Sequence, residues 1–300
     1  MTGIERVGVV GCGLMGAGIA EVCARAGLPV TVVERDARAA REGRLRITRS
    51  LDRATAHGRL TADQGEAARA LLTVTDRMEA LHDRDLVIEA VAEDERLKLD
   101  VFTRLDSVVT GVDAILATNT SSIPVIRLAA ATSRPDRVVG VHFFNPVPVL
   151  RLVELVPSLL TSPGTADRAD AFVTGRLGKE VVRTRDKAGF VVNALLVPYL
   201  LAAVRMVESG SASVEDVDRG MVLGCAHPLG PLALADLIGL DTTRAIAESL
   251  YAEFREPQYS SPPLLSRMVE AGLLGRKSGR GFHTYDAVPR PEAAAPAGPR

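Results

Sequence analysis

Gly11-Cys12-Gly13-Leu14-Met15-Gly16 constrains this chain more than any other stretch. It follows Arg6 to Val10, which reads as a buried parallel strand. It opens a helical periodicity that continues to Ala26 and stops at Gly27. A second strand, Val30 to Val33, ends in Glu34, 23 residues after Gly11. A G-x-G-x-x-G alone is a weak signal; between a strand and a helix, with an acid closing the next strand, it is the dinucleotide-binding fingerprint. Gly11 permits the tight turn, Gly13 lets the backbone approach a pyrophosphate, and Gly16 lets the helix pack close to the strand. Leu14 and Met15 complete the cofactor-binding turn at a helix N-terminus, whose N–H groups and dipole face the phosphates. Glu34 is suited to accept hydrogen bonds from an adenosine ribose and to repel a 2′-phosphate, which favours NAD over NADP; Arg35 and Arg38 nearby weaken that preference.

The next segment is long for a crossover. Helical spacing runs from Ala37 to Ala56 and from Thr61 to Leu71, with His57-Gly58 between, so a helical hairpin over about 37–72 projecting from the sheet is expected. Arg41, Arg44, Arg46, Arg49 and Arg53 form either a basic face for a phosphorylated ligand or a solvated helix face, and the second accounts for most of them. Leu72 to Thr75 and Asp85 to Ala90 read as strands, and Asp94 to Val108 as an amphipathic helix. Strand, turn and helix alternate to about Phe144, which is the pattern of a doubly wound, mostly parallel sheet. Strand Leu152 to Val156, helix Ala166 to Leu177 and strand Glu180 to Arg183 follow. From Phe190 the pattern is all-helical: Phe190 to Val207, Val214 to Leu223, Pro231 to Glu253, and Leu264 to Ala271. The expected organisation is an α/β Rossmann-type domain over 1–187, an all-α domain over 188–286, and a disordered Ala- and Pro-rich tail over 287–300.

Composition excludes several function classes. A formal net charge of −1 gives no electrostatic case for nucleic acid or an anionic membrane, and the absence of Trp leaves few stacking surfaces for bases. No uninterrupted apolar run reaches membrane-spanning length. Cys12, Cys23 and Cys225 have neither metal-ligand nor redox spacing, so no metal is expected, and a reduced cytoplasmic chain is the simplest account.

Ala117 to Asn145 carries the chemistry-bearing side chains. The turn Asn119-Thr120-Ser121-Ser122 follows one apolar strand, and His142 follows another, Val138 to Val141. Ligands of open α/β sheets bind at the carboxyl ends of strands, so Ser121 and His142 could reach one pocket. The alternative is that Ser121 caps the following helix and His142 merely ends a strand. His82 and His283 read as surface or loop residues, His227 as part of a turn, and Ser122 as a capping or packing residue.

Several longer motifs then carry a resemblance: Gly11 to Ala20, Asn119-Thr120-Ser121-Ser122, His142-Phe143-Phe144-Asn145-Pro146, Leu152-Val153-Glu154, Gly189-Phe190-Val191-Val192-Asn193 and Gly279-Arg280-Gly281-Phe282. In order and spacing they resemble the short-chain 3-hydroxyacyl-CoA dehydrogenases. The resemblance implies that His142 is the catalytic base and Glu154 its acidic partner, and that Ser121 and Asn193 bind the reacting part of the substrate, with Asn145 beside them. It implies cofactor-side roles for Glu34, Glu93, Lys98 and Asn119. It places the CoA-contacting segment around Ser50, where the family often shows a lysine and this chain has His57. It implies an acyl-CoA substrate, 3-hydroxybutyryl-CoA above all, and a homodimer through the C-terminal helical domain.

The chemistry suits those residue types. Oxidising a secondary alcohol needs a base for the O–H proton, and a histidine oriented by a carboxylate supplies one. Two other substrates fit the same chemistry, a dicarboxylic acyl-CoA and an acyl-carrier-protein thioester. A rival of another class is a dinucleotide-binding sensor without turnover, which has no need of a histidine–carboxylate pair.

Overall fold

The computed structural model describes residues 3–285, so the expected tail lies outside the described residues. The chain divides into two compact units, Met1–Val191 and Val192–Arg300.

The first unit is built on one eight-stranded sheet of order β3-β2-β1-β4-β5-β6-β7-β8. Its strands are β1 (Val7–Val10), β2 (Val30–Val33), β3 (Leu72–Thr75), β4 (Leu86–Glu89), β5 (Ile115–Thr118), β6 (Val138–Phe143), β7 (Leu152–Val156) and β8 (Glu180–Arg183). Every adjacent pair is parallel except β6 and β7. The central strands are buried along their whole length, as a sheet covered on both faces requires of its Val- and Ile-rich runs. One core face packs Ile19, Ala20 and Cys23 of helix α1 (Leu14–Arg25) on Val9 and Ile88. The other packs Phe102 and Leu105 of α4 (Glu95–Val108) and Leu128 of α5 (Val125–Ala130) on Val87 and Leu116.

The chain runs outward from β1 to β3 and returns on the far side of β1 as β4, so the switch point lies between β1 and β4. That is where open α/β sheets hold ligands. Gly11 sits there with φ 90°, and a Cβ on it would lie 2.7 Å from the Ala90 carbonyl oxygen. A Cβ on Gly16 would lie 1.9 Å from the Gly11 carbonyl oxygen, so both turns admit only glycine. Gly13 is different: a Cβ there would meet no protein atom within 4 Å, so protein packing does not demand this glycine.

The hairpin forms as α2 (Ala37–Ala56) and α3 (Ala62–Ala70), the latter opened by a Thr61–Gln64 capping box. One face of it packs on the first unit. Ala40, Gly43, Ile47 and Leu51 form a stripe at helical spacing that buries against the α1 side of the core. The five arginines lie outside that stripe and are exposed.

Two helices are shorter at one end than their periodicity suggests, one at its C-terminus and one at its N-terminus. The run expected from Ala166 to Leu177 is α6 (Pro163–Ala171) followed by a π-helical turn, Phe172–Arg176. The helix expected from Phe190 starts at Val192 as α7 (Val192–Glu208), because Gly189 and Phe190 both have positive φ, 74° and 51°, which no right-handed helix accommodates.

In the second unit α7 is followed by α8 (Val214–Cys225), α9 (Pro231–Ile238), α10 (Leu240–Phe254) and α11 (Pro263–Glu270). The single helix expected over Pro231 to Glu253 is broken at Gly239, whose φ of 104° interrupts the hydrogen-bond ladder between α9 and α10. Two buried aspartates staple this unit. Asp218 accepts hydrogen bonds from Leu232 N–H and Ala233 N–H at the start of α9; Asp236 accepts from Phe282 N–H, His283 N–H and the Tyr285 hydroxyl. His283, read from sequence as a surface or loop residue, is tied in through Nε2 to Asp218 at 2.7 Å.

Candidate active site

Strand β7 reverses direction after β6, and the register pairs His142 directly with Glu154. Directly opposed residues of an antiparallel pair point to the same face, so the two side chains meet. His142 Nδ1 lies 2.8 Å from Glu154 Oε2. Glu154 is 0% exposed and His142 6%. The second carboxylate oxygen, Oε1, accepts the Val191 N–H at 3.0 Å. The Gly189–Phe190 turn delivers that N–H, and it also brings the Phe190 ring to 5.6 Å from the imidazole, with the Phe144 ring at 4.6 Å. A carboxylate only accepts hydrogen bonds, so Nδ1 carries the imidazole proton and Nε2 is the basic nitrogen.

The turn after β5 is organised from behind by Glu93. Its Oε1 accepts hydrogen bonds from the Thr120 hydroxyl, Ser121 N–H, Ser122 N–H and the Ser122 hydroxyl. Its Oε2 lies 3.2 Å from the Lys98 ammonium, which also donates to Glu89 Oε1 at 2.6 Å. Glu89 in turn accepts from the Thr118 hydroxyl and Val91 N–H. A relay thus runs from buried Thr118, Glu89 and Lys98 through the partly exposed Glu93 to the serine turn. Lys98 is 1% exposed, and its ammonium lies between the two glutamates. Asn119 Oδ1 accepts the Phe143 N–H at 2.8 Å, which ties this turn to the strand carrying His142.

Ser121 does not cap the following helix. Thr120 Oγ1 accepts the Ile123 N–H, and α5 is capped by Asp186, whose two oxygens accept Val125 N–H and Ile126 N–H at 2.8 Å each. Burial raises the Asp186 pKa above the ordinary aspartate value despite those two hydrogen bonds. The helix-cap alternative for Ser121 is therefore gone, and its hydroxyl lies 3.4 Å from Glu93 Oε1, at the edge of hydrogen-bonding distance.

Burial opposes ionisation of Glu93, but the Lys98 charge and the hydrogen bonds from Thr120, Ser122 and Ser121 outweigh it and hold its pKa below the ordinary 4.5. A carboxylate with a depressed folded-state pKa contributes stability that is fully present above the unfolded value and lost as pH falls through the folded one. Glu93→Gln is thus expected to lower Tm at neutral pH. The gap to the wild type should close only as pH drops below about 4.5, the unfolded-state glutamate value. A gap that does not change between neutral pH and pH 3, followed by thermal melts, would show that the Glu93 charge is not what orders the turn.

At the glycine-rich turn, Glu34 Oε1 accepts the Cys12 N–H at 2.6 Å and Oε2 the Arg35 N–H at 3.1 Å. The two arginines that could receive a 2′-phosphate are drawn to acids, Arg35 to Asp36 at 3.3 Å and Arg38 to Glu42 at 3.0 Å. The open rim at Gly13, the exposed Leu14 beside half-buried Met15, and Glu34 on the β2 side fit a dinucleotide without a 2′-phosphate.

The remaining expected residues are dispersed. Ser50 is half-buried in the middle of α2; His57 is its exposed C-cap, with Nδ1 2.7 Å from the Arg53 carbonyl oxygen. The hairpin follows β2, which stands four strand spacings from β6 in the sheet order, roughly 19 Å. Asn145 is exposed just past β6. Asn193 belongs to the second unit, where it is the buried second residue of α7. Sequence reasoning missed the Val191 N–H and the relay through Glu89. A carboxylate inside the apolar run Leu86–Glu89 was the available signal for the relay, since a buried charge requires a partner.

The family model for the 3-hydroxyacyl-CoA dehydrogenase NAD binding domain matches residues 6–187, and that for the 3-hydroxyacyl-CoA dehydrogenase C-terminal domain matches residues 189–285. The chain belongs to the 3-hydroxyacyl-CoA dehydrogenase family. It is 59% identical over 282 residues to a 3-hydroxybutyryl-CoA dehydrogenase of Mycobacterium tuberculosis, covering 94% of this chain and 99% of the relative. It is 39% identical over 289 residues to the mitochondrial hydroxyacyl-coenzyme A dehydrogenase of Sus scrofa, covering 94% and 91%. Among solved structures, M. tuberculosis FadB2 superposes with a TM-score of 0.93 at 59% identity, over 94% of this chain and 99% of that one. The (S)-3-hydroxybutyryl-CoA dehydrogenase PaaH1 of Ralstonia eutropha gives 0.89 at 45% identity, over 95% and 100%. The first unit of this family member thus carries its NAD-binding domain, and the glycine-rich turn and Glu34 fall inside it.

Proposed function

We propose that the chain is an NAD-dependent dehydrogenase that interconverts (S)-3-hydroxyacyl-CoA and 3-oxoacyl-CoA, with 3-hydroxybutyryl-CoA and acetoacetyl-CoA as the preferred pair. The buried His142–Glu154 pair, on the same sheet as the dinucleotide fingerprint, carries this reading. His142 Nε2 removes the proton from the substrate hydroxyl as the C3–H bond breaks, and returns it in the reverse direction. Glu154 fixes the tautomer and stabilises the imidazolium that forms. When bound, NAD supplies the acceptor for the hydrogen leaving C3. Ser121 and Asn193 orient the substrate hydroxyl and thioester carbonyl, and Asn145 lies alongside. Ser50 and His57 on α2 meet the CoA moiety, whose extended pantetheine suits a distance of several strand spacings. The family relatives named for 3-hydroxybutyryl-CoA support the short acyl chain.

The protein works as a homodimer through its second unit in a reduced cytoplasm. Large apolar side chains on that unit's surface support the dimer: Leu195 on α7 is 73% exposed and Leu223 on α8 72%. Three free cysteines support the reduced setting.

Oxidation of NADH against a panel of 3-oxoacyl thioesters tests the reading. The expected result is the highest kcat/KM for acetoacetyl-CoA, with dicarboxylic and carrier-protein thioesters and NADPH well behind. A carrier-protein thioester in first place would move the substrate; no turnover anywhere would leave a dinucleotide-binding sensor.

A further inference from the structure

Cys12, the middle residue of the glycine-rich turn's first half, is held on three sides. Its N–H donates to Glu34 Oε1 at 2.6 Å. Its carbonyl oxygen accepts from Arg46 Nη1, a side chain of α2. Its side chain sits against Gly43 of the same helix, where a Cβ would lie 2.7 Å from Cys12 Cβ and 2.8 Å from Sγ. The thiol is fully buried, and burial, then the Glu34 charge, push its pKa up to about 12, so it is a packing group and not a nucleophile.

We propose that Arg46 is a positioning residue for dinucleotide binding, which holds the Cys12 carbonyl toward α2 and thereby turns the next N–H, that of Gly13, toward the cofactor pyrophosphate. The argument is the planarity of the peptide bond. In a trans peptide the C=O and the following N–H point in opposite directions, so anchoring one aims the other. Gly13 is exposed and is the N-cap of α1, with φ −64° and ψ −159°, and a Cβ on it would meet no protein atom within 4 Å. Both ends of the Cys12 residue are thus fixed, by Glu34 from β2 and by Arg46 from α2. Without Arg46 the carbonyl is free to rotate toward the phosphates and repel them. The remaining arginines of the exposed α2 face are not needed for this. Arg46 differs from them because it stands three residues after Gly43, on the edge of the stripe that docks α2 on the turn.

This inference rests on the NAD-binding reading of the turn and is independent of which thioester is the substrate. NADH affinity of Arg46→Met and Arg46→Lys, followed by nicotinamide fluorescence at low and at high salt, tests it. A charge-assisted hydrogen bond to a group that must be oriented is worth about tenfold or more in affinity. Arg46→Met is therefore expected to bind NADH about tenfold more weakly or worse, at either salt concentration. Arg46→Lys, which keeps a donor and a charge, should recover most of the loss, and KM for acetoacetyl-CoA should not move in either variant. NADH affinity of Arg46→Met within about twofold of wild type would overturn the proposal. So would a loss that vanishes at high salt, which marks screened attraction, or a loss accompanied by an equal fall in Tm that lysine does not repair. If the wild-type protein itself failed to bind NADH, the cofactor reading and not the Arg46 assignment would be at fault.

Discussion

His142→Ala is expected to reduce kcat with acetoacetyl-CoA and NADH by about 100- to 10,000-fold, the usual range for removing a positioned general acid–base group. NADH affinity should stay within about twofold, because the glycine-rich turn and Glu34 are built from β1, α1 and β2 and do not use His142. The variant should also be less stable by about 1–3 kcal/mol, since it takes a hydrogen-bond partner from a carboxylate buried at 0% exposure. Steady-state kinetics, NADH titration and a thermal melt separate the three effects. Unchanged turnover would remove His142 as the base, whatever happened to stability.

Glu154→Gln is expected to lower kcat by on the order of 10⁴-fold, the loss seen when a histidine-orienting carboxylate becomes an amide. The geometry here gives the reason. Glu154 uses one oxygen for the Val191 N–H at 3.0 Å and the other for His142 Nδ1 at 2.8 Å. Glutamine has a single oxygen. Giving it to Val191 turns the amide NH2 toward Nδ1, which makes Nδ1 an acceptor and moves the imidazole proton to Nε2, the nitrogen that must accept from substrate. The lost carboxylate charge also leaves the imidazolium unstabilised. Nitrogen-15 NMR of labelled histidine is expected to report the Nε2–H tautomer, alongside near-wild-type NADH affinity. Full activity in this variant, or an unchanged tautomer, would separate Glu154 from the chemistry.

Much of the first unit was legible because its signals are local. The strand–turn–helix around Gly11 to Gly16, the acid closing β2, the hairpin with its break at His57-Gly58 and the apolar strand runs all depend on residues within a few positions of one another. The same holds for the residue types on offer: a serine turn after β5, a histidine at the end of β6, a carboxylate in the middle of β7. Locality also explains the errors. Periodicity carried a helix through Gly239 and started another at Phe190, because the pattern of apolar residues does not register a positive φ. Nor does it register that the small residues Ala40 and Gly43 in the α2 stripe let that helix lie close to the turn.

By itself the sequence determined the sheet class, the dinucleotide turn, the preference for NAD and the pool of candidate site residues. Only the tertiary structure decided which of them meet. The reversal between β6 and β7 and its register put Glu154 opposite His142; a slip of one residue would have turned the carboxylate to the other face of the sheet. Packing also fixed Asp186, rather than Ser121, as the cap of α5, committed Lys98 to Glu89 and Glu93, and delivered the Val191 N–H to Glu154. Each of these joins groups between 5 and 61 residues apart, and a buried charge or N–H finds its partner only when the chain around it has closed.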